Sequence, residues 1–351
     1  MKLKFNFNET KLMYGLSVVV FACAIGLLGW FVWQYIASAN ITNIVMDITN
    51  DKIEQTKTCD FRRVLDGVCV DSVEKMSTKL VAVMIENHPD ARPQSGLSKA
   101  SIVYEAPVEA NYTRFMAIYP ADTDASEVGP VRSARPYYLD WLAEYGNAMY
   151  MHCGGSPDAL AKIKNSNVFD INEFYYGTSF WRSPSRLAPH NVYTSSELWS
   201  EIDHGFSDTN FTDWWTFEEC GIQNVECGIA STSSIMVNFL VPSYAVEWKY
   251  NSSTQKYERW QAGAEHREAD GTLLSTDTII VQHVKTRVID EIGRLSMETV
   301  GTGAVEVYFD GVKKEGKWIK ADQKSRTKFF DENNNEIKLK PGKIWIEMIN
   351  K

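Results

Sequence analysis

Carboxylate and arginine side chains gather in one stretch of this sequence, residues 81–135, where apolar segments alternate with polar loops. Loops are where proteins place many binding and catalytic groups. Glu105 and Glu109 end one apolar segment, and Arg114 begins the next. Two carboxyl groups near an arginine could serve as acid and base for cleaving a glycosidic bond or activating water, if their surroundings separate their pKa values. The alternative is a buried network of glutamate and arginine that fixes the loops.

Arg132 and Arg135 lie on one loop that leads into a predicted helix. Guanidinium groups beside a helix N-terminus favour carboxylate or phosphate, so the loop is a candidate anion site. The alternative is that each arginine pairs internally with Glu86, Glu105 or Asp140. The predicted ligand-binding residues are Glu86, Asn87, Arg92, Arg114, Arg132, Arg135, Gly154, Gly155 and Ser156.

His152 ends a predicted strand, and His190 lies in a second basic loop, so both are candidate catalytic groups beside Glu105 or Glu109. Neighbouring side chains of a strand point to opposite faces, which argues against a dyad of His152 and Cys153. The G-x-S-x-G spacing of α/β-hydrolases is absent. A zinc site of His152, His190 and a glutamate would lack a close ligand pair, so no metal site and no cofactor are predicted.

The elements that must position these groups follow from short apolar runs and capping signals. Ser156 reads as an N-cap with Pro157 in the first helical turn, and Ser195 or Ser196 opens a further short helix. We predict strands at 80–85, 101–104, 112–119 and 148–152, and a helix within 134–145. Mixed strands and helices favour a layered α/β domain, for which we predict the bounds 79–232.

After about residue 233 the pattern changes to short, often alternating apolar runs separated by turn signals such as NSS, DG and ENNN. This pattern is typical of antiparallel β structure. The sequence therefore predicts a smaller, mostly antiparallel β domain over 233–351.

Residues 12–37 contain no charged side chain, and about 20 apolar residues suffice to cross a bilayer. Three lysines precede the run, which places residues 1–11 in the cytoplasm and the rest outside by the positive-inside rule. A cleaved signal peptide is the alternative, but the run is longer than a typical signal-peptide core. We predict a single-pass transmembrane helix in the plasma membrane, followed by a polar stalk over 38–78.

Two close cysteine pairs, Cys59 with Cys69 and Cys220 with Cys227, lie in the predicted extracytoplasmic part. Local disulfides are expected there. A four-cysteine metal site is the alternative, although zinc knuckles usually have two to four intervening residues. The net charge of −9 argues against nucleic-acid binding.

Several long motifs resemble the YerB-like extracytoplasmic lipoprotein family. They are MIENHPDARPQSGLSKASIVYEAPVEANYTRFMAIY, GPVRSARPYYLDWL, HCGGSPDAL and APHNVYTS, with GTGAVEVYFDG, GKWIKAD and FFDENNNEIKLKPGKIWIEMI in the closing segment. The resemblance covers about residues 60–350 and implies a two-domain, membrane-tethered protein with a layered α/β first domain. It implies no catalytic mechanism. Family members are commonly lipid-anchored, whereas this sequence predicts a transmembrane anchor.

These observations favour an extracytoplasmic cell-envelope protein that binds a polar or anionic envelope polymer or an envelope protein. The alternative function is a hydrolase of cell-wall glycan or peptide that uses Glu105 or Glu109 with His152 or His190. The sequence predicts no oligomeric state.

Overall fold

The computed structural model describes residues 25–36, 59–202, 213–218 and 232–350. Contacts divide the chain into two units, Met1–Cys59 and Asp60–Lys351. In the first unit the described helix, α1, spans residues 25–36 and exposes its apolar side chains. Within the described part of the chain, no helix combines the length and apolarity needed to cross a membrane. The rest of the predicted transmembrane segment 12–37, like the tail and residues 38–58 of the stalk, lies outside the described residues.

The second unit contains three α-helices, seven short 3₁₀ helices and twenty-one strands among its described residues. The helices are α2 (Pro136–Leu142), α3 (Pro157–Lys164) and α4 (Ser196–Ser200). The 3₁₀ helices span Val73–Lys75, Pro89–Ala91, Leu97–Lys99, Glu109–Asn111, Ala143–Tyr145, Gly177–Ser179 and Pro242–Tyr244.

The first nine strands are β1 (Phe61–Arg62), β2 (Cys69–Val70), β3 (Leu80–Glu86), β4 (Ile102–Pro107), β5 (Thr113–Pro120), β6 (Met149–His152), β7 (Phe169–Asn172), β8 (Trp181–Arg182) and β9 (Val192–Tyr193). The next six are β10 (Ser234–Val237), β11 (Val246–Asn251), β12 (Lys256–Gln261), β13 (Ala264–Glu265), β14 (Ser275–Thr276) and β15 (Thr278–Val284). The last six are β16 (Thr286–Val288), β17 (Leu295–Met297), β18 (Gly301–Phe309), β19 (Val312–Lys320), β20 (Lys328–Asp331) and β21 (Ile344–Asn350).

A ten-stranded mixed sheet forms the centre of the second unit, in the order β20-β19-β18-β15-β21-β4-β5-β3-β6-β7. All seven residues of β3 are buried, as expected for a strand covered on both faces. One face packs against α2 and α3 through Tyr138, Trp141 and Ala159. The other packs against a separate antiparallel sheet of five strands, β10 to β14. The predictions of a mixed sheet and of a mostly antiparallel C-terminal sheet are confirmed, whereas the predicted layered α/β domain proves to be rich in strands with few helices.

The large sheet continues from one predicted domain into the other. β21, near the C-terminus, lies between β15 and β4 and runs parallel to both. Glu347 of β21 thereby lies opposite Glu105 of β4. An apolar run such as that of β21 is typical of a strand, but the parallel pairing of Ile344 with Ile102 depends on tertiary packing and has no local signal.

Cys59 and Cys69 are joined by a disulfide, as the sequence predicted. Cys69 begins β2, which pairs with β1, and the intervening turn carries Asp66. The Asp66 carboxylate accepts a hydrogen bond from Ser101 Oγ (2.6 Å) and a second from Arg63. The predicted pair of Cys220 and Cys227 lies outside the described residues.

Candidate functional site

The polar side chains singled out in the sequence meet at one edge of the large sheet. β3 and β4 both run antiparallel to β5, and β6 runs parallel to β3. The carboxyl ends of β3, β4 and β6 therefore lie at the same edge of the sheet. In the register, Glu86 pairs with Arg114 and Glu105 with Phe115. Since successive side chains of a strand point to opposite faces, Glu86 and Glu105 belong to different clusters on the two faces.

On the helix-covered face, the arginines predicted to bind an anion are held by glutamates. Arg132 Nε lies 3.0 Å from Glu86 Oε1. Arg135 forms a bidentate ion pair with Glu109, in which Nε donates to Oε1 (2.7 Å) and Nη2 donates to Oε2 (2.6 Å). Burial acts to raise the pKa of Glu109, but Arg135 outweighs it and the pKa is lowered. The internal pairing left open by the sequence is therefore the arrangement found for both arginines.

Arg114 lies beneath this pair of ion pairs and is almost fully buried. Its Nη1 donates to the backbone oxygen of Ser133 (2.6 Å), and its Nε has no hydrogen-bond partner among the described residues. Burial, with Arg135 nearby, lowers the pKa of Arg114 to about 10. The side chain therefore remains charged at neutral pH and contributes positive potential to this edge of the sheet.

On the opposite face, Glu105 lies at the centre of a buried network. Its carboxylate accepts hydrogen bonds from Thr113 Oγ1 (2.5 Å), Asn87 Nδ2 (3.1 Å) and Arg259 Nη2 (2.5 Å). The Glu105 side chain has no exposed surface. Glu105 and Glu109 thus have different partners on different sides of the sheet, and a substrate cannot reach Glu105. The predicted acid–base pair is not assembled.

Two further ionisable groups complete the buried network. Burial and the neighbouring Glu105 carboxylate raise the pKa of Glu347 well above its ordinary value. Burial and the guanidinium of Arg259 lower the pKa of His266 well below its ordinary value. His266 Nδ1 accepts from Arg259 and its Nε2 faces Gln94 Oε1 at 2.9 Å, which identifies the neutral ring with its proton on Nε2.

His152 and the turn after it use their polar groups internally. The fully buried ring places Nδ1 2.6 Å from the backbone oxygen of Gly154 and Nε2 2.6 Å from Asp170 Oδ1. Gly154 N–H donates to Asn172 Oδ1 (3.0 Å), and Ser156 Oγ caps α3 by accepting from Ala159 N–H (3.3 Å). The cap and the helix start were predicted correctly. The catalytic role of His152 and the ligand-binding role of residues 154–156 stay predictions.

His190 lies at an accessible cleft of about 590 Å³. Its Nδ1 is 2.8 Å from Glu86 Oε2, which joins it to the ion pair of Glu86 and Arg132. The ring stacks on His88 with centroids 4.9 Å apart, and His88 in turn meets Tyr112 edge to face. The cleft is lined by Asp90, Ser185, Arg186, Leu187, Ala188 and His190.

Arg186 connects the two loops that form this cleft. Its Nη2 donates to the backbone oxygen of Pro93 (2.5 Å) and its Nη1 to that of Asp90 (3.2 Å). Arg92 lies in the loop after β3. It donates through Nε to Asn87 Oδ1 (3.1 Å), and its guanidinium lies over the Tyr244 ring. His88, Asp90 and Arg186 are not among the site residues predicted from the sequence. The available signal was the pair of histidine–proline steps, His88-Pro89 and Pro189-His190, in two loops rich in charge.

Cys153, which the sequence left without a partner, is a free buried thiol. Its Sγ lies 3.5 Å from Glu173 Oε2. Burial, with the Glu173 carboxylate nearby, raises the pKa of the thiol to about 11. Since the thiolate is the reactive form, this environment suppresses nucleophilic chemistry at Cys153.

Comparison with known proteins places this architecture among proteins of unknown function. Residues 65–211 match the N-terminal domain and residues 235–346 the C-terminal domain described as "Protein of unknown function (DUF3048)". The chain is 28% identical over 275 residues to "Putative lipoprotein YerB" of Bacillus subtilis (strain 168), covering 77% of this chain and 80% of that protein. The crystal structure of the YerB protein from Bacillus subtilis matches with a TM-score of 0.72 and 27% identity, over 83% of this chain and 97% of that one. The resemblance inferred from the motifs is confirmed.

Proposed function

The chain belongs to the DUF3048 family, and we propose that it is a membrane-anchored extracytoplasmic protein that binds an anionic cell-envelope polymer at the cleft beside His190. The proposal keeps the class of ligand predicted from the sequence. It moves the contact surface from Arg132 and Arg135, which pair with Glu86 and Glu109, to the cleft that Arg186 and His190 line.

Three observations support the location. The Bacillus subtilis relative carries the name of a lipoprotein. The sequence has an uncharged segment at 12–37, long enough for a single-pass anchor, and the described part of it, α1, exposes its apolar side chains. The disulfide between Cys59 and Cys69 fits an oxidising compartment, because cytosolic thiols are normally kept reduced.

The charge around the cleft is the observation that carries the proposed ligand class. Arg186 lines the cleft together with Asp90, and Arg132 is joined to His190 through Glu86, in a chain whose net charge is −9. Guanidinium groups bind carboxylate and phosphate oxygens with directed hydrogen bonds.

Binding of a purified phosphate-bearing wall polymer to the full-length protein tests the proposal. We expect saturable binding that weakens as salt rises, because exposed charges are screened beyond about 10 Å at 0.1 M salt. A neutral glycan of similar length should bind much more weakly. Equal binding of the charged and neutral polymers would overturn the proposal.

Leu187 offers a matched pair of variants, since its side chain lines the cleft and is 87% exposed. We expect Leu187→Glu to weaken polymer binding and Leu187→Lys to strengthen it, each by several-fold, without disturbing the fold. Leu240, which is 79% exposed beside the five-stranded sheet, provides the control position. If Leu187 and Leu240 substitutions have the same effects, the ligand does not bind at this cleft.

A further inference from the structure

Two histidines and an aspartate converge at the mouth of the cleft. His88, Asp90 and His190 each offer one ligand atom, and these atoms all lie within 4.8 Å of one another. His88 and Asp90 come from the loop after β3, and His190 comes from the loop before β9. We propose that this cluster binds a divalent transition-metal ion.

The donor set fits such an ion chemically. Two imidazole nitrogens and one carboxylate oxygen suit Zn²⁺ and similar borderline ions, whereas Mg²⁺ prefers oxygen ligands in octahedral geometry. His88 Nδ1 lies 3.6 Å from Asp90 Oδ2. Two ligand atoms bound to one tetrahedral zinc at about 2.0–2.1 Å are separated by about 3.3 Å. The observed separation of the two atoms is thus a few tenths of an ångström longer than the separation of two ligand atoms on one zinc ion.

The contact with Glu86 assigns the two ring nitrogens of His190 different roles. Its Nδ1 faces Glu86 Oε2 at 2.8 Å, so the proton lies on Nδ1 and the Nε2 lone pair is left for an ion. The Glu86 side chain is largely buried and is itself held by Arg132 at 3.0 Å. A carboxylate that holds the second nitrogen of a ligating histidine fixes its tautomer and raises its basicity. The contact of His190 with the buried Glu86 carboxylate is a second observation in favour of a metal site, separate from the short distances among the three ligand atoms.

His88 is the ligand that must move. Its Nδ1 accepts the backbone N–H of Asp90 (3.2 Å), and its ring is tilted only 15° from that of His190. Each lone pair lies in the plane of its ring, so two nearly parallel rings do not point at one ion. Rotation of the partly exposed His88 ring about its Cβ–Cγ bond brings its lone pair toward the ion and replaces the backbone hydrogen bond.

Three protein ligands would leave one position of a tetrahedral ion for an exogenous ligand. An anionic ligand could occupy that position, as substrates do in zinc sites with three protein ligands. In this respect the inference rests on the proposed function. The site itself does not, because it follows from the three side chains and from Glu86.

Titration of the full-length protein with Zn²⁺ alone, after removal of metals with a chelator, tests the site. We expect one high-affinity Zn²⁺ per chain and no competition from Mg²⁺. Asp90→Ala, His88→Ala and His190→Ala should each weaken binding at least tenfold, and Glu86→Gln should weaken it by roughly 10–100-fold, as expected for a supporting carboxylate. His283→Ala is the control, since His283 is partly exposed and pairs with Glu306 instead.

Asp90 is the decisive position because its side chain is 74% exposed, so we expect Asp90→Ala to leave the fold intact. Absence of Zn²⁺ binding in the wild-type protein would overturn the inference, and so would full-affinity binding in Asp90→Ala and His190→Ala. Zinc held elsewhere in the chain would persist in every variant. The titration contains no polymer, so its failure leaves the proposed polymer binding standing, and failure of polymer binding leaves the metal site standing.

Discussion

Arg259 and Glu105 form a fully buried ion pair, with Nη2 2.5 Å from Oε2, and they come from the two different segments that match the family. Arg259 lies in β12 of the five-stranded sheet and Glu105 in β4 of the large sheet. The guanidinium is flanked by the rings of Phe115, Trp248 and Trp345. The interface between the two sheets therefore contains a charged pair inside an aromatic enclosure.

Removal of Arg259 should strongly destabilise the protein. Arg259→Met leaves Glu105 buried without its cation, and breaking a buried pair in this way costs about 3–5 kcal/mol. Urea unfolding of the variant and the wild type measures the difference. Arg267→Ala, at an exposed pair with Glu265, should change the unfolding free energy by less than about 1 kcal/mol.

The double variant Arg259→Met with Glu105→Gln separates the pair from packing effects. It should be less destabilised than the sum of the two single variants, because it buries no uncompensated charge. Strictly additive losses would show that the ion pair does not couple the two residues.

Glu347 should make the protein less stable as pH rises. Its pKa is raised in the folded state, so the stabilising contribution of the protonated form is fully present below the ordinary value of 4.5. That contribution is lost as pH rises from 4.5 toward the folded-state pKa, by roughly 1 kcal/mol per pH unit. Glu347→Gln removes the titration, so its unfolding free energy relative to wild type should increase between pH 5 and pH 8.

The difference between variant and wild type isolates Glu347 from His266, which acts with the opposite sign. The pKa of His266 is lowered, so its contribution is present above its ordinary value of 6.5 and is lost as pH falls below it. Both proteins retain His266. A pH-independent difference between them would contradict the raised pKa of Glu347.

Cys153 should resist alkylation in the folded protein. With a pKa of about 11, the thiol is almost entirely protonated at pH 8, and its side chain is buried. Peptide mapping after iodoacetamide treatment should find Cys153 unmodified under native conditions and modified in urea. Rapid native labelling would show an accessible thiolate.

We expect Gly154 to contribute to the stability of the fold and not to polymer binding. Its φ of +65° is costly for other residues, and an added Cβ would lie 2.8 Å from the Phe174 ring. Phe174 is 67% exposed and can turn away, so we expect Gly154→Ala to cost about 1–2 kcal/mol in unfolding free energy. Polymer affinity should be unchanged. A large loss of polymer affinity at unchanged stability would support the ligand-binding role predicted for this turn.

Local structure was predictable from the sequence where a short-range signal exists. Ser156 and Pro157 predict the start of α3, because Ser156 caps the helix with its side chain and Pro157 has a fixed φ. The apolar run from Leu80 predicts β3. The partners of the charged groups were not predictable. Arg135 could have paired with Glu86, Glu105 or Asp140, but the 3₁₀ turn at Glu109–Asn111 places Glu109 against it.

The candidate site shows the same limit. The sequence predicted a role for His190 but none for His88, because nothing within either loop indicates that the two rings will stack. Their meeting depends on the loop after β3 and the loop before β9 being fastened together by Arg186. Such contacts between distant segments follow from the folded topology and not from local pattern.

Hydrogen–deuterium exchange of the full-length protein, with and without the phosphate-bearing wall polymer, tests the location of binding most directly. We expect the polymer to slow exchange in residues 88–93 and 183–191, which contain the residues that line the cleft beside His190. Residues 124–127 and 268–270, which line a separate acidic cleft, should be unaffected. Unchanged exchange in the His190 loop with protection of the acidic cleft would contradict the account.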